Sequence, residues 1–328
     1  MSELRQDPVT RDWVIINPKR AARPHDHAAP GPCPLCPGNE ALTPEPTDVL
    51  AAPGGGWFVR AVPNAFPALE ADGAGGEAHE LTPEGWHRMP GHGRHEVIIE
   101  TPEHAASLAS VSEAQMRLVL EMYVRRFRVL AADASIRQVT LFRNQGRRAG
   151  TSLAHPHAQI VAAPVVAPGT RWRLAEEQAF FEANGCCGVC HVLERELEGG
   201  VRIVHAGESF VTLAPYASRV PYHLQIVPRR HSPAFPEAEA AELDALAGHL
   251  RATIGALHGE LGDPDYNLVV VTPPLDQVHR HASHWYIDVL PRLTIPAGFE
   301  LGSRIVVNVQ APEQAAVELR ARWGAGAS

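Results

Sequence analysis

The sequence predicts an α+β fold that is made of two similar halves. Three observations predict it. Each half contains a C-x-x-C pair, continues with strand and helix patterns in the same order, and closes on a histidine that opens a final strand. With 328 residues, of which 45% are hydrophobic, the chain is long enough to bury a sizeable core. We expect an N-terminal domain of residues 1–168 and a C-terminal domain of residues 169–328.

The first half begins with the C-x-x-C pair of Cys33 and Cys36, in GPCPLCPGNE. An apolar, strand-like run, HEVIIETPEH, ends at His104. The next segment, SEAQMRLVLEMYVRRFRVLAA, predicts a helix because its apolar residues recur at helical spacing behind a serine that suits the N-cap position. IRQVTLFRN then predicts a strand, and HPHAQIVAAP, from His155, closes the half.

The second half repeats this order from Cys187 and Cys190, in NGCCGVCHVLE. HLQIVPRRH ends at His231, PEAEAAELDALAGHLRATIGAL predicts the helix, YNLVVVTPP predicts the next strand, and HWYIDVLPRL, from His284, closes the half. His104 and His155 are 51 positions apart in the first half, and His231 and His284 are 53 apart in the second. Agreement in motif, order and spacing indicates an internal repeat.

Each half therefore offers two thiols and two imidazoles, which are common ligands of a closed, tetrahedral zinc site. In a reducing compartment, paired cysteines suggest a metal before a disulfide, although unlinked thiols are the alternative. The predicted ligands are Cys33, Cys36, His104 and His155 in the first half, and Cys187, Cys190, His231 and His284 in the second. Cys186 is the spare thiol, and it replaces Cys187 if the loop is arranged differently.

The closing strands of the two halves differ where chemistry is expected. A strand points alternate side chains to one face, so His155, His157 and Gln159 project together. In the second half, Tyr286 and Asp288 take the places of His157 and Gln159. A purely structural histidine has no reason to differ in this way, so His157 is the candidate for chemistry. An imidazole with one unprotonated nitrogen is a good nucleophile toward phosphorus.

The segment before this strand, NQGRRAGTS, supplies groups that suit a phosphate. Asn144, Ser152 and the backbone amides around Gly150 are typical phosphate-binding groups. Gln159 can donate its amide to a phosphoryl oxygen. Together with His157, these groups indicate nucleotidyl or phosphoryl transfer through a histidine intermediate.

Composition and other motifs argue against several further classes of protein. The net charge of −8 disfavours a general nucleic-acid binder. The amino terminus lacks the apolar core of a signal peptide and no apolar run reaches the length of a membrane span, so we expect a cytosolic protein.

The histidine-rich stretches at 25–27, 92–95 and 279–284 look like metal sites, but apart from His284 we expect polar loop residues there. APGGGW lacks the lysine of a P-loop and predicts a turn.

These motifs resemble those of the galactose-1-phosphate uridylyltransferases, within the histidine triad superfamily. NQGRRAGTSLAHPHAQI resembles the active-site motif, VIINPKRAARP the amino-terminal arginine segment, VRAVPNAFPAL the segment near the uracil, and GFELGSRIVVNVQAPEQAAVELR the carboxy-terminal stretch. Together they cover nearly the whole chain. The resemblance implies two histidine-triad-like repeats, each an antiparallel sheet with helices packed on it, the second being degenerate. It also implies a covalent nucleotidyl-histidine intermediate and ping-pong kinetics.

By match to these motifs, the resemblance also implies roles for individual residues. His157 is the nucleophile, and Gln159 stabilises the intermediate. The implied substrate contacts are Arg20 and Arg23 on the nucleotide sugar, Asn64 near the base, Asn144, Gly150 and Ser152 on the phosphates, and Phe299 and Glu300 on the hexose. In the family, the segment that carries the last two residues reaches the active site of the other subunit, which implies a homodimer.

Two departures from the family pattern bear on the substrate. The stretch RLTIPAGFE has Thr294 where the better-known bacterial and animal enzymes carry a basic residue, and HWYIDVLPR lacks the later histidines of their second metal site. Both features, with GCCGVC, resemble the branch that includes the plant ADP-glucose phosphorylase.

We expect uridylyl transfer between UDP-glucose and galactose 1-phosphate, with two alternatives. One is a phosphorylase of ADP-sugars or dinucleoside polyphosphates that uses the same histidine. The other is a zinc-binding scaffold without catalysis, which gives no role to His157 or Gln159.

Overall fold

A computed structural model describes residues 2–22, 32–71, 80–276 and 280–324. The strands are β1 (Glu3–Gln6), β2 (Trp13–Ile16), β3 (Asp48–Ala51), β4 (Trp57–Pro63), β5 (Glu80–Leu81), β6 (His87–Pro90), β7 (Arg94–Ile99), β8 (Gln138–Gln145), β9 (His157–Ala163), β10 (Ile203–Ala206), β11 (Phe210–Leu213), β12 (Leu224–Pro228), β13 (Tyr266–Val271) and β14 (Tyr286–Pro291). The helices are α1 (Glu113–Ala131), α2 (Pro168–Asn184), α3 (Gly188–Gly199), α4 (Ala240–Leu261), α5 (Gly298–Ser303) and α6 (Pro312–Arg322).

A ten-stranded sheet in the order β10-β11-β12-β14-β13-β8-β9-β7-β4-β3 forms the centre of the fold. Its strand pairs are antiparallel, and the middle pair, β8 with β13, joins the two halves of the chain. Outward from that pair, the strands of each half follow one another in equivalent order. The α+β fold and the repeat are thus confirmed. The two predicted sheets are joined edge to edge, which removes an exposed strand edge from each half.

The two predicted long helices, α1 and α4, pack together on one face of this sheet. The Ser112 hydroxyl accepts a hydrogen bond from the backbone N–H of Gln115 at 3.1 Å, so it caps α1 as expected. Apolar side chains of both helices enter the same core cluster, including Phe127 of the first and Leu246 of the second. Burying each such side chain contributes about 1.5–3 kcal/mol to folding. A single core therefore holds both halves together and leaves the opposite sheet face for other groups.

The other elements lie around this framework. A small second sheet, in the order β2-β1-β6-β5, was not predicted. The turn predicted at APGGGW is confirmed, because Gly54, Gly55 and Gly56 connect β3 to β4 with positive φ angles. None of the helices within the described ranges combines the length and the apolar character needed to cross a bilayer.

Candidate active site

The strand β9 presents His157 and Gln159 on the face of the sheet that α1 does not cover. It lies between β7 and β8, and its alternate residues Ala158 and Ile160 point into the core. The side chains of His157 and Gln159 are nevertheless buried, at 6% and 5% exposure. The alternation predicted for this stretch is confirmed for His157 and Gln159, which lie next to each other at the base of a pocket. The strand was predicted to open at His155, but it begins at His157, and His155 lies two residues before it.

The orientation of the His157 ring is fixed by its neighbour in the chain. The ring Nδ1 lies 2.8 Å from the backbone oxygen of His155. A carbonyl oxygen only accepts, so Nδ1 carries the proton and Nε2 keeps its lone pair. Burial also lowers the pKa of His157, which favours the neutral ring. The side chain therefore has the protonation state that a nucleophile requires.

The pocket in front of His157 has an apolar wall and a polar end. Its apolar lining is contributed mainly by Leu35, Leu42, Val62, Phe66, Val97 and Leu153. Its polar side chains include Asn64 and Ser152, both of which were predicted to contact substrate. Such a slot suits a flat ring or a sugar, with the polar end directed at a charged group.

Gln159 belongs to a network of side chains at the back of this pocket. The Nε2 atom of His95 lies 2.9 Å from Gln159 Oε1, and the Nδ2 atom of Asn64 lies 3.5 Å from the same oxygen. The Nη1 atom of Arg20 lies 3.4 Å from His95 Nδ1, which brings a second predicted residue to the network. The other predicted arginine, Arg23, lies outside the described residues.

The expectation of a polar loop residue at His95 is wrong. His95 is the second residue of β7 and is 5% exposed. The glycine-rich residues before it favour a loop, but the strand begins at Arg94, so the side chain points into the site. The sequence carried a signal for it, because the matching segments of both halves, HEVIIE and HLQIVP, begin with a histidine.

The second half of the chain holds the predicted phosphate loop in place. Asn267, on β13, donates its amide to Asn144 Oδ1 at 2.8 Å and to the backbone oxygen of Ala149 at 2.9 Å. A carboxylate oxygen of Asp265 accepts from the backbone N–H of Arg148 at 2.5 Å. Because Asn267 binds the oxygen of the Asn144 amide, the nitrogen of that amide is left to donate to a ligand. Neither Asn267 nor Asp265 was predicted.

Two glycines allow this loop to form. Gly146 has a φ of 80°, and a Cβ atom there would lie 1.8 Å from Asp265 Oδ1. Gly150, a predicted phosphate contact, closes the following 3₁₀ turn in the left-handed region, at a φ of 89°. The loop therefore depends on glycine both for its backbone conformation and for its close contact with the second half.

The first predicted metal cluster is assembled. The ligand atoms of Cys33, Cys36, His104 and His155 all lie within 4.8 Å of one another. The Sγ atom of Cys36 is 3.2 Å from His104 Nδ1 and 3.5 Å from His155 Nδ1. His155 Nε2 lies 2.8 Å from the backbone oxygen of Thr101, which orients Nδ1 toward the sulfur atoms. Two thiols and two oriented imidazoles fit a tetrahedral metal ion.

The second cluster has the same composition. The ligand atoms of Cys187, Cys190, His231 and His284 also lie within 4.8 Å of one another, and Cys186 is not a member. The hydrogen bond with Cys190 lowers the pKa of Cys187, which favours the thiolate that binds metals. His284 differs from His155, because its buried Nε2 has no hydrogen-bond partner among the residues that the structure describes.

At the position that corresponds to His157, the second half has Tyr286 instead of a histidine. Burial raises the pKa of Tyr286, so the phenol stays protonated at neutral pH. Burial opposes ionisation of Asp288, but the hydrogen bond from His223 and the charge of Arg219 outweigh it and hold the pKa of the carboxyl below its usual value. An ion-paired carboxylate beside a protonated phenol does not favour attack on a phosphate.

Phe299 and Glu300 do not line the pocket of their own chain. They lie on α5, where Phe299 is exposed and a Glu300 carboxylate oxygen accepts from the backbone N–H of Ala297 at 3.0 Å. The surrounding segment is rich in exposed apolar side chains, which are Leu293, Ile295, Leu301, Ile305, Val306, Val307 and Val309.

Comparisons with known proteins agree with this geometry. Residues 1–167 match the family model described as galactose-1-phosphate uridyl transferase, N-terminal domain. An ADP-glucose phosphorylase of Arabidopsis thaliana is 32% identical, over 97% of this chain and 92% of the relative. A galactose-1-phosphate uridylyltransferase of Thermotoga maritima is 29% identical, over 98% of each chain. The crystal structure of the Arabidopsis thaliana ADP-glucose phosphorylase with bound ADP-glucose superposes with a TM-score of 0.79 at 31% identity, covering 98% of this chain and 99% of the other.

Proposed function

This chain belongs to the galactose-1-phosphate uridyl transferase family and is a nucleotidyltransferase; on that premise we propose that it exchanges UMP between UDP-glucose and galactose 1-phosphate. The observation that carries the proposal is the pair of His157 and Gln159 at the base of the pocket. His157 directs an unprotonated Nε2 outward because its Nδ1–H is bound to the backbone of His155.

The proposed reaction has two half-reactions. In the first, His157 Nε2 attacks the α-phosphorus, the bond from that phosphorus to the bridging oxygen breaks, and glucose 1-phosphate leaves. In the second, a phosphate oxygen of galactose 1-phosphate attacks the same phosphorus, the N–P bond breaks, and neutral His157 is restored. Gln159 donates its amide N–H to a phosphoryl oxygen, where charge develops in each transition state.

Other residues of the site are proposed to bind the substrate. Asn144, Gly150 and Ser152 bind the phosphates, with the freed amide nitrogen of Asn144 as the main donor. Arg20 and Arg23 contact the nucleotide sugar. We assign the base to the apolar wall near Asn64. Residues 1–168 thus carry the chemistry, and residues 169–328 support it through Asn267 and Asp265.

We propose that each Cys-Cys-His-His cluster holds one structural zinc ion. The support is the ligand set, since four protein ligands leave no open position for a substrate. The first cluster includes His155, two residues before His157, so this zinc fixes the start of the strand that presents the nucleophile. Metal analysis of purified protein should give about two zinc per chain on this four-ligand logic. Folded, active protein without metal contradicts the assignment.

A homodimer would complete the site. The exposed apolar segment around α5 supports this, because Ile295, Leu301 and Val309 are each more than 70% exposed in the single chain. We propose that Phe299 and Glu300 of one subunit contact the hexose in the site of the other.

Mixing two inactive variants tests the shared site. A heterodimer of His157→Gly and Glu300→Ala subunits regains one intact site only if the residues come from different subunits. Partial activity on mixing is expected, and fully active monomers would contradict the proposal.

A second candidate is phosphorolysis of an ADP-sugar by the same histidine. The 32% identity to the Arabidopsis thaliana ADP-glucose phosphorylase, over 97% of this chain, favours it. The two candidates differ in base and acceptor, so turnover of UDP-glucose and ADP-glucose with galactose 1-phosphate or inorganic phosphate separates them. Product formation only from ADP-glucose and phosphate overturns the uridylyl proposal. Turnover of neither nucleotide sugar, nor of a dinucleoside polyphosphate, supports the non-catalytic scaffold.

A further inference from the structure

His95 and Gln159 form a buried side-chain pair behind the pocket. They lie on the neighbouring strands β7 and β9, where Val97 and Gln159 are paired residues. His95 Nε2 is 2.9 Å from Gln159 Oε1, and both side chains are 5% exposed. Because the pair is shielded from water, this hydrogen bond fixes the orientation of both side chains.

The surroundings of His95 decide which ring nitrogen carries the proton. The backbone N–H of Ala68 donates to Nδ1 at 3.0 Å, and Arg20 Nη1 lies 3.4 Å from the same atom. Both neighbours are donors, so Nδ1 is the acceptor and Nε2 carries the hydrogen. The Nε2–H can then donate only to an acceptor, which is Gln159 Oε1.

Asn64 supports the same orientation of Gln159. Its own Oδ1 accepts from the backbone N–H of Phe66 at 2.8 Å, so its Nδ2 is directed toward the pair. That nitrogen donates to Gln159 Oε1 at 3.5 Å. Its approach to His95 Nε2, at 3.2 Å, is a contact between two donors that share this oxygen as their acceptor. With donors on the Oε1 side, the NH₂ group of Gln159 is turned toward the pocket.

We propose that His95 is a positioning residue that fixes the amide of Gln159 with its NH₂ group toward the transferring phosphoryl group. Without His95, the amide can rotate by 180° and present an oxygen, which repels a phosphoryl oxygen. The inference rests on the proposed transfer at His157, and it concerns how the second active-site side chain is aimed.

The repeat supplies a matched control for this residue. His223 precedes β12 and lies 3.1 Å, through Nε2, from Asp288 Oδ1. Gln225 pairs with Asp288 as Val97 pairs with Gln159, so His223 is the structural counterpart of His95. It is equally buried, at 3% exposure, but it contacts the degenerate site. The same substitution at both positions therefore separates an effect on Gln159 from the loss of a buried histidine.

The kinetic test compares His95→Phe, which keeps an aromatic ring but removes the donor, with His223→Phe. The measured quantity is the rate of label transfer from nucleotide sugar to His157 in a single turnover. His95→Phe should slow it about tenfold or more, up to the 10²–10³ expected for loss of the Gln159 donor itself, with little change in substrate affinity. His223→Phe should leave the rate near wild type, and His95→Gln, which restores an N–H donor, should recover part of it.

A double-variant cycle tests whether His95 acts through Gln159. In a Gln159→Ala background, His95→Phe should cause no further loss of rate. Equal losses with and without Gln159, or equal losses from His95→Phe and His223→Phe, overturn the proposal while leaving transfer at His157 intact. If His157 of the wild-type enzyme takes up no label at all, the result instead counts against the proposed function.

A spectroscopic measurement does not depend on turnover. In protein with ¹⁵N-labelled histidine, the His95 signals, assigned by their absence in His95→Gln, should show a neutral ring protonated at Nε2. A proton on Nδ1 overturns the proposal whatever the activity.

Discussion

Replacing Arg143 with methionine will destabilise the fold behind the nucleophile strand. Arg143 lies on β8, paired with Ala158 of β9, and its side chain is 1% exposed. Its Nε donates to Glu100 Oε2 at 2.8 Å, and the Tyr123 hydroxyl donates to the other carboxylate oxygen. Its Nη1 donates to Gln145 at 2.7 Å. The ion pair thus links β8 to the residue that follows β7 and, through Tyr123, to α1, behind His157.

The size of the effect follows from burial. Removing one member of a buried ion pair leaves the other charge without a partner, and this costs about 3–5 kcal/mol. Among the residues that the structure describes, Arg143→Met leaves the Tyr123 hydroxyl as the one side-chain donor to the carboxylate of Glu100. Replacing both members by apolar residues removes the stranded charge, so the double variant Glu100→Met/Arg143→Met should be more stable than Arg143→Met alone. The exposed pair of Arg195 and Glu198 is the control, since such pairs contribute only about 0–1 kcal/mol.

Urea unfolding, followed by circular dichroism, measures these differences as shifts in the free energy of unfolding. Arg143→Met should lose several kcal/mol and Arg195→Met less than about 1 kcal/mol. The reasoning is refuted if Arg143→Met is as stable as Arg195→Met. It is also refuted if the double variant loses as much stability as the single variants Glu100→Met and Arg143→Met lose together.

Three further predictions concern other parts of the molecule. The second metal cluster should bind its ion with about 10–100-fold weaker affinity than the first, and should therefore release it to a chelator first. The reason is that a backbone carbonyl orients His155, while His284 Nε2 has no such partner among the described residues. Simultaneous release from both clusters contradicts this prediction. Asn267→Ala should slow nucleotidyl transfer because it releases the Asn144 amide. The same change in an Asn144→Ala background should therefore cause little further loss of rate, and additive losses of rate contradict this prediction. Burial lowers the pKa of His249 to about 3, so the unfolded chain binds an extra proton below about pH 6.5 and stability falls as the pH drops toward 3. His249→Gln should lose less stability between pH 7 and pH 5 in urea unfolding, and an unchanged loss contradicts the assignment.

The sequence predicted the parts of the fold that have strong local patterns. The helical spacing in α1 and α4 was sufficient because each buries one long apolar face. The two metal clusters were predictable because C-x-x-C pairs and spaced histidines recur in both halves. His157 was found by comparing the halves, since the repeat has Tyr286 at that position.

What the sequence did not predict depends on contacts between distant segments. Asn267 is 123 positions from Asn144, and no local pattern connects them. The pairing of β8 with β13 leaves no local trace, because each strand has the same apolar pattern in either arrangement. The small sheet is formed from strands of two to four residues, which are too short to show a period. His95 is hard to predict because it directly follows the glycine-containing stretch GHGR, which favours a loop, although the residue itself belongs to β7.

The central claim is that His157 carries the nucleotide, and trapping that intermediate tests it most directly. The enzyme should be incubated with nucleotide sugar labelled in the α-phosphate, without an acceptor, and the labelled peptide identified. We predict one label per site on His157 that is stable to base and labile to acid, as expected of a phosphoramidate. His157→Gly should show no label, yet keep its metal content and fold, because His155 and not His157 belongs to the first metal cluster. A label on another residue, or normal turnover by His157→Gly, would contradict the account.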